Sequence, residues 1–191
     1  GRGRVLEALP WYLAALQNEP DPEHRDTHRR RLTATLRASP RSEHVWFHSN
    51  RVNSVTLSPN ERWVASGSDD TSARVWDMES GEPLTPPLPH GESVRGAIFR
   101  QDGARLLTYS SQKLHHPGLG AEAGQGSVRL WSLPEGRELW SFTHSNTVHA
   151  AAFSPDGSRI LSACTDGRVR VWMVHEALGR TRVTLEHEFI H

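Results

Sequence analysis

The sequence predicts a mainly β fold of repeated antiparallel sheets, with an α-helical hairpin ahead of them. Three observations carry this prediction. Residues 144–172 hold three short apolar runs at strand spacing, Val148 to Phe153, Arg159 to Ala163 and Arg168 to Trp172. The runs are parted by Pro155-Asp156-Gly157 and Thr165-Asp166-Gly167, which supply the positive-φ residues that tight hairpin turns need. The same marks then recur: His48, His90, His144 and His187 at intervals of 42, 54 and 43 residues, and Trp76, Trp131 and Trp172 at 55 and 41. One three-stranded meander cannot bury both of its faces, so it needs copies of itself, and the copies are present.

The copies are also in phase. His48 is followed by Ser66 at +18, Asp70 at +22 and Trp76 at +28, and His144 by Ser162, Asp166 and Trp172 at the same offsets. Each of the three tryptophans ends an Arg-(Val/Leu)-Trp triplet. On these residues the stretch from about 44 to 191 resembles the WD-repeat β-propeller family, whose blades run about 40 to 45 residues. The resemblance implies a partial, open propeller of four-stranded antiparallel blades. It places them at about 44–83, 84–136 and 137–180, with the start of a further outer strand at 181–191. It also implies a structural tetrad in each complete copy, His48, Ser66, Asp70 and Trp76 in the first and His144, Ser162, Asp166 and Trp172 in the third. In that tetrad the indole N–H donates to the hydroxyl, the hydroxyl pairs with the imidazole, and the imidazole donates to the turn aspartate. A buried Trp, His and Asp are each costly unless hydrogen-bonded, and one connected chain satisfies all of them. The middle copy keeps His90, Thr108 and Trp131, but its aspartate position holds Gln112 or Gln125, so a weaker tetrad is expected there.

Composition sets limits. Of 191 residues 36% are hydrophobic, with 15 Gly, 12 Pro and 7 Trp, as many short strands joined by turns would give. Lys+Arg and Asp+Glu number 22 each, so no global field favours nucleic acid or an anionic membrane. The lone Cys164 excludes a disulfide framework within the chain and suggests a reducing, cytoplasmic setting. No apolar run reaches the ~18 residues that span a bilayer, so no membrane insertion is expected. An opening Gly1 and an end inside a repeat read as a piece of something longer.

Residues 1–41 are expected to form a helical linker or hairpin, and residues 42–191 the partial propeller. Leu6, Leu9, Leu13 and Leu16 make a helical stripe. Pro10 lies either near that helix's first turn or at a kink in a longer one. Asp21 is a candidate cap of a second helix that carries Arg25, Arg29, Leu32 and Leu36 and ends near Ser39-Pro40. The pairing of helices with repeats loosely resembles some large bacterial receptor-like serine/threonine kinases.

From residue 44 the strands begin. Val45 to His48 reads as an outer strand, followed by Val52 to Leu57, Arg62 to Ser66 and Ala73 to Trp76. The second copy runs Val94 to Phe99, Ala104 to Tyr109 and Val128 to Trp131, and Arg182 to His187 reads as an outer strand of a fourth. His90 to Trp131 spans 41 residues where the other copies need 28, an insertion of 13 in a loop-like stretch between Ser110 and Gln125. By the family's strand order this loop opens on the same face as those after His48, His90 and His144. A partner surface is therefore expected around Asn50, Arg51, Glu92, Ser93, Asn146 and the insertion residues Lys113, His115 and His116. A tolerated insertion without function is the competing reading. The end copies should each show an apolar face, with Val45, Phe47, Val52 and Val55 at one end and Val169, Val171, Trp172 and Val183 at the other.

Several patterns imitate chemistry. His187-Glu-Phe-Ile-His191 spells the zinc-protease motif, but that chemistry needs a helix, and His187 stands in the repeat register on a strand. Gly118-Leu-Gly-Ala-Glu-Ala123 opens no helix that would receive a pyrophosphate. His115-His116 and the pair His24 and His28 offer two ligands each where a tight metal site wants three or four, and Arg29 to Arg31 reads as a solvated helix face. The His/Ser/Asp sets look like hydrolase triads, yet each recurs with a Trp at repeat spacing, which makes them structural. No catalytic residue, metal or cofactor is expected. The function expected is a non-catalytic protein-protein interaction scaffold for protein or peptide partners, the remaining blades lying in the same or another chain. The alternative is a sensor or tethering part of a larger signalling enzyme such as a bacterial kinase.

Overall fold

The computed structural model describes residues 44–112 and 124–190. The expected helical hairpin and Lys113, His115 and His116 lie outside them. From Trp46 onward the described chain forms one compact unit. Its strands are β1 (Val52–Leu57), β2 (Trp63–Ser68), β3 (Ser72–Asp77), β4 (Leu88–Pro89), β5 (Ser93–Phe99), β6 (Arg105–Ser111), β7 (Gly126–Ser132), β8 (Arg137–His144), β9 (Val148–Phe153), β10 (Arg159–Cys164), β11 (Arg168–Ala177) and β12 (Arg180–Ile190). They make three four-stranded sheets in the orders β1-β2-β3-β4, β5-β6-β7-β8 and β12-β11-β10-β9, every pair antiparallel. Among the described residues no strand joins the first sheet to the last, so the array they form is open.

The turns fall where the sequence marks them. Gly157 and Gly167 sit at φ +70° and +75°, and Glu61 and Thr71 occupy the matching positive-φ places of the first sheet without glycine. Asn60, Asp102 and Asp156 each brace the turn after an inner strand by accepting a backbone N–H two residues on.

Sequence repeat and sheet differ in phase by one strand. The segments expected to open the second and third copies instead close the preceding sheets, β4 on β3 and β8 on β7, and β12 completes the third sheet rather than starting a fourth. The cause is local: β11 and β12 meet across a two-residue turn, Leu178-Gly179, and pair over their whole length. Val45 to His48 is not a strand, because no earlier sheet is present among the described residues for it to close. In the first sheet the outer strand shrinks to two residues, since Pro83, Pro86, Pro87 and Pro89 cannot donate to a ladder.

Register also moves one expected position. Val169 pairs with Phe189 as Val128 pairs with Phe142, and Val171 with His187 as Leu130 with Trp140. His187 therefore takes the place of Trp140, not that of His144. The counterpart of His144 falls at 191, outside the described residues. His187 to Ile190 lie on a strand, where residues four apart stand about 13 Å apart rather than one turn above each other.

The sheets stack face to face. One core sets Ala65, Ala73, Val75 and Leu88 of the first sheet against Val94, Ala97, Phe99 and Trp131 of the second. A second core sets Leu107, Val128 and Leu130 against Val148, Ile160 and Trp172. At the two ends the same positions lie open. Val94 and Val148 are 0% and 1% exposed but the matching Val52 is 43%, and Val45, Phe47, Val55 and Leu57 beside it are exposed too. Leu107 and Val128 are fully buried, whereas the matching Leu161 and Val169 are each 37% exposed. Trp172, expected among the uncovered residues, is buried instead. It faces the second sheet, where Trp140 and Phe142 close on it with ring centroids 5.0 and 4.5 Å away. Val171 and Val183 are half-buried.

The unequal burial of matched positions is measurable. Leu107→Ala should destabilise the chain by about 2 to 5 kcal/mol, and Leu161→Ala by less than about 1 kcal/mol, in chemical denaturation. Equal losses would mean that the third sheet's outer face is covered.

Candidate functional site

The first tetrad is complete. His48 sits just ahead of β1, Ser66 on β2, Asp70 in the β2–β3 turn and Trp76 on β3. The Trp76 indole N–H donates to Ser66 Oγ at 3.2 Å, the Ser66 hydroxyl meets His48 Nε2 at 2.7 Å, and His48 Nδ1 meets Asp70 Oδ2 at 2.8 Å. Asp70 also accepts from the Ser49 and Ser72 amides and the Ser72 hydroxyl, so its turn is closed around it. Burial alone would raise its pKa. The hydrogen bonds from Ser72, His48 and Ser49 together outweigh that and hold it at about 2.

In the second set Trp131 donates to Thr108 Oγ1 at 2.8 Å, and Thr108 reaches His90 Nε2 at 3.0 Å. The chain ends there: buried His90 Nδ1 has no partner among the described residues. Gln112 meets Gln125 through its backbone N–H, 3.0 Å from the carbonyl oxygen, so it extends the sheet rather than replacing the aspartate. Burial, and then the charge of Arg129, push the His90 pKa down to about 3.

The third set is rewired. Trp172 still donates to Ser162 Oγ at 3.1 Å, but His144 does not reach Asp166 directly. The Arg170 guanidinium stands between them, one nitrogen 3.0 Å from His144 Nδ1 and another 2.9 Å from Asp166 Oδ2, while its Nε lies 2.8 Å from Glu188. Donation from Arg170 leaves the His144 proton on Nε2, which is buried without a partner among the described residues. Burial, then Arg170, lower the His144 pKa to about 4, against the opposing pull of Asp166 and Glu188. Sequence offered no warning, because Arg74 and Arg129 hold the same place in their triplets and turn elsewhere, to the Phe47 carbonyl and to Glu138. His144, Cys164 and Asp166 have ligand atoms within 4.8 Å of one another. A metal ion among them would meet the Arg170 charge, so the cluster is read as an ion-pair network.

None of the three sets presents a nucleophile. Ser66, Thr108 and Ser162 are buried and each already accepts an indole hydrogen bond. What remains open is the end of the sheets bearing the links after His48, His90 and His144. Asn50, Arg51 and Glu92 lie there, and Asn146 accepts the Thr147 amide. Ser93, expected among the contacts, is buried as the first residue of β5. Three residues on this rim escaped sequence reading: Asn53, Arg95 and His149. Each is the extra residue of a bulge at the start of an inner strand, between Val52 and Ser54, Val94 and Gly96, and Val148 and Ala150. The only sequence signal is their common offset, five residues beyond His48, His90 and His144.

Repeated four-stranded sheets, each with an indole donating to a buried hydroxyl on the neighbouring strand, define a WD-repeat protein, and the chain belongs to that family. A family model, "WD domain, G-beta repeat", matches residues 41–77 and 136–173. The chain is 27% identical over 145 residues to a "Coronin-like protein" of Saccharomyces cerevisiae, covering 68% of this chain and 21% of that protein. It is 32% identical over 146 residues to human "WD repeat-containing protein 90", covering 74% and 8%, and 30% identical over 149 residues to "Nuclear distribution protein nudF" of Aspergillus flavus, covering 75% and 28%. The chain thus spans less than a third of the length of these relatives.

The lowered histidine pKa values fix a sign. The unfolded chain takes up protons at these histidines near pH 6.5, whereas the folded chain does so only near 4 and 3. Their contribution is therefore whole above the unfolded value and is lost as pH falls below it. The melting temperature should drop by several degrees from about pH 6.5 to 4, and His144→Gln should remove part of that slope. A flat profile over that window would show that the two imidazoles are not held neutral.

Proposed function

We propose that the chain is a non-catalytic protein-protein interaction scaffold whose partner surface is the rim carrying Asn50, Arg51, Glu92 and Asn146. The observation that carries this reading is a division of polar groups. The hydroxyls, imidazoles and carboxylates of the repeats are spent inside the sheets, while one end of a rigid array keeps polar side chains for contact. Relatives that are themselves WD-repeat proteins support the scaffold class. They lend no support to a sensor or tether of a signalling kinase. An intracellular, reducing setting suits the buried free thiol of Cys164.

We further propose that the two open sheet faces, around Val55 and Leu57 at one end and Leu161, Val169 and Phe189 at the other, are covered in the working assembly by further blades of the same or another chain. They match interior positions that are buried or half-buried wherever a neighbouring sheet is present. By light scattering the isolated chain should associate or precipitate, and a monodisperse monomer with a sharp, high melt would overturn this part.

Partner binding is tested by alanine scanning against a protein captured by crosslinking from the rim. Arg51→Ala and Glu92→Ala should weaken it about three- to thirtyfold each. Loss of binding only on changing the Ser58–Glu61 and Ser154–Gly157 turns, at the opposite end, would place the surface there instead.

A further inference from the structure

Three bulges in register are a repeated device for aiming side chains. In each sheet the bulged residue reaches a partner at the end of the neighbouring strand or in the turn beyond it. Asn53 Nδ2 donates to Asp69 at 2.8 Å, Arg95 Nε to Ser111 Oγ at 3.1 Å, and His149 Nε2 lies 3.2 Å from Thr165 Oγ1. The row is therefore amide, guanidinium, imidazole, along the inner edge of the proposed contact rim.

Between the second and third members lies a cleft of about 350 Å³, lined by Arg95, Ser111, Gln112, Thr147, Val148 and His149. None of these is acidic. Arg95 spends Nε on Ser111, and the Asp69 carboxylate lies 3.9 Å from one terminal nitrogen with the Arg95 side chain still 33% exposed. The Thr147 hydroxyl is buried in the cleft wall without a partner among the described residues. Such an arrangement offers the Arg95 guanidinium and the Thr147 hydroxyl as donors, with no carboxylate in the lining to compete for them. An anion is the ligand that satisfies it.

We propose that this cleft seats the carboxylate of an aspartate or glutamate from an extended acidic segment of a partner protein, held between Arg95 and His149. The volume is at the small end for a ligand site, which suits one side chain entering from a peptide that runs along the rim. The zero net charge of the chain argues against a nucleic-acid strand, which needs a run of cations rather than one pair. This inference rests on the scaffold reading, and names the chemistry of one of its contacts.

The test uses the full chain and a fluorescein-labelled peptide of alternating glycine and glutamate, read by fluorescence anisotropy at low salt. The same peptide with glutamine in place of glutamate is the neutral control. Arg95→Gln and His149→Gln should each weaken binding about tenfold or more, and Arg180→Gln, at the far end of the sheets, should leave it unchanged. Thermal melts of the variants separate lost contact from lost fold. Equal binding of the glutamine peptide, an oligonucleotide that binds as tightly, or variants that fold and bind like the parent would each overturn the proposal. A captured partner that depends on Arg51 and Glu92 but ignores Arg95 and His149 would also overturn it while leaving the scaffold reading intact. A partner indifferent to the whole rim would remove both.

Discussion

A tryptophan buried between two sheets must place its indole N–H, and the structure depends on how that donor is satisfied. Trp76, Trp131 and Trp172 each hand it to a hydroxyl on the neighbouring strand, at 3.2, 2.8 and 3.1 Å. Bonded in this way, Ser66, Thr108 and Ser162 sit at almost no exposure, and Ser66 and Thr108 pass the contact on to an imidazole. The ring then fills the space between its own sheet and what lies ahead of it, Trp46 for the first and Trp140 with Phe142 for the third. Burying a large aromatic and closing its polar edge are thus one event, and it ties an inner hairpin to the preceding strand or link.

Beyond the hydroxyl the three sheets diverge, and the divergence tracks the available counter-charge. His48 has an aspartate and forms a full chain. His90 has none among the described residues, which leave one nitrogen of its neutral ring unpartnered. His144 finds an arginine interposed, itself held by two carboxylates. A common frame therefore tolerates three endings because the indole and hydroxyl come first. Burial holds the His90 and His144 imidazoles neutral in the folded state, which therefore resists taking up a proton at either.

Much of this was legible in the sequence because repeats amplify weak signals. Offsets of 18 and 28 residues recur for all three histidines only after the insertion is allowed for, yet they pick out the hydroxyl and indole partners in each sheet. What sequence could not show was anything decided by pairing across the sheet. The outer strands were read with the copy they precede, whereas ladder hydrogen bonds join them to the copy before. His187 looked right by counting and is displaced by the longer β11–β12 hairpin: Trp172 pairs with Leu185, 13 residues on, where Trp131 pairs with Glu138, 7 on. Bulges are why Asn53, Arg95 and His149 passed unnoticed, since each comes at the start of its strand, where no run of alternation precedes it to be broken. Arg170 was hidden differently: it occupies the same letter as Arg74 and Arg129, and only the proximity of Glu188 and Asp166 turns it inward.

The one-strand offset between repeat and sheet has a consequence for how such a chain tolerates cutting and rearrangement. A break at Gly91-Glu92 or at Ser145-Asn146 falls between sheets and severs no ladder, so each side would retain whole sheets. A break at the boundary between repeats, near residue 83 or 136, passes through a sheet and strips it of its outer strand. Units that can be duplicated as sequence are therefore not the units that can be separated as structure. Adjacent copies inherit one another's edges, and a gene that gains or loses a repeat keeps every sheet complete except at the two extremities.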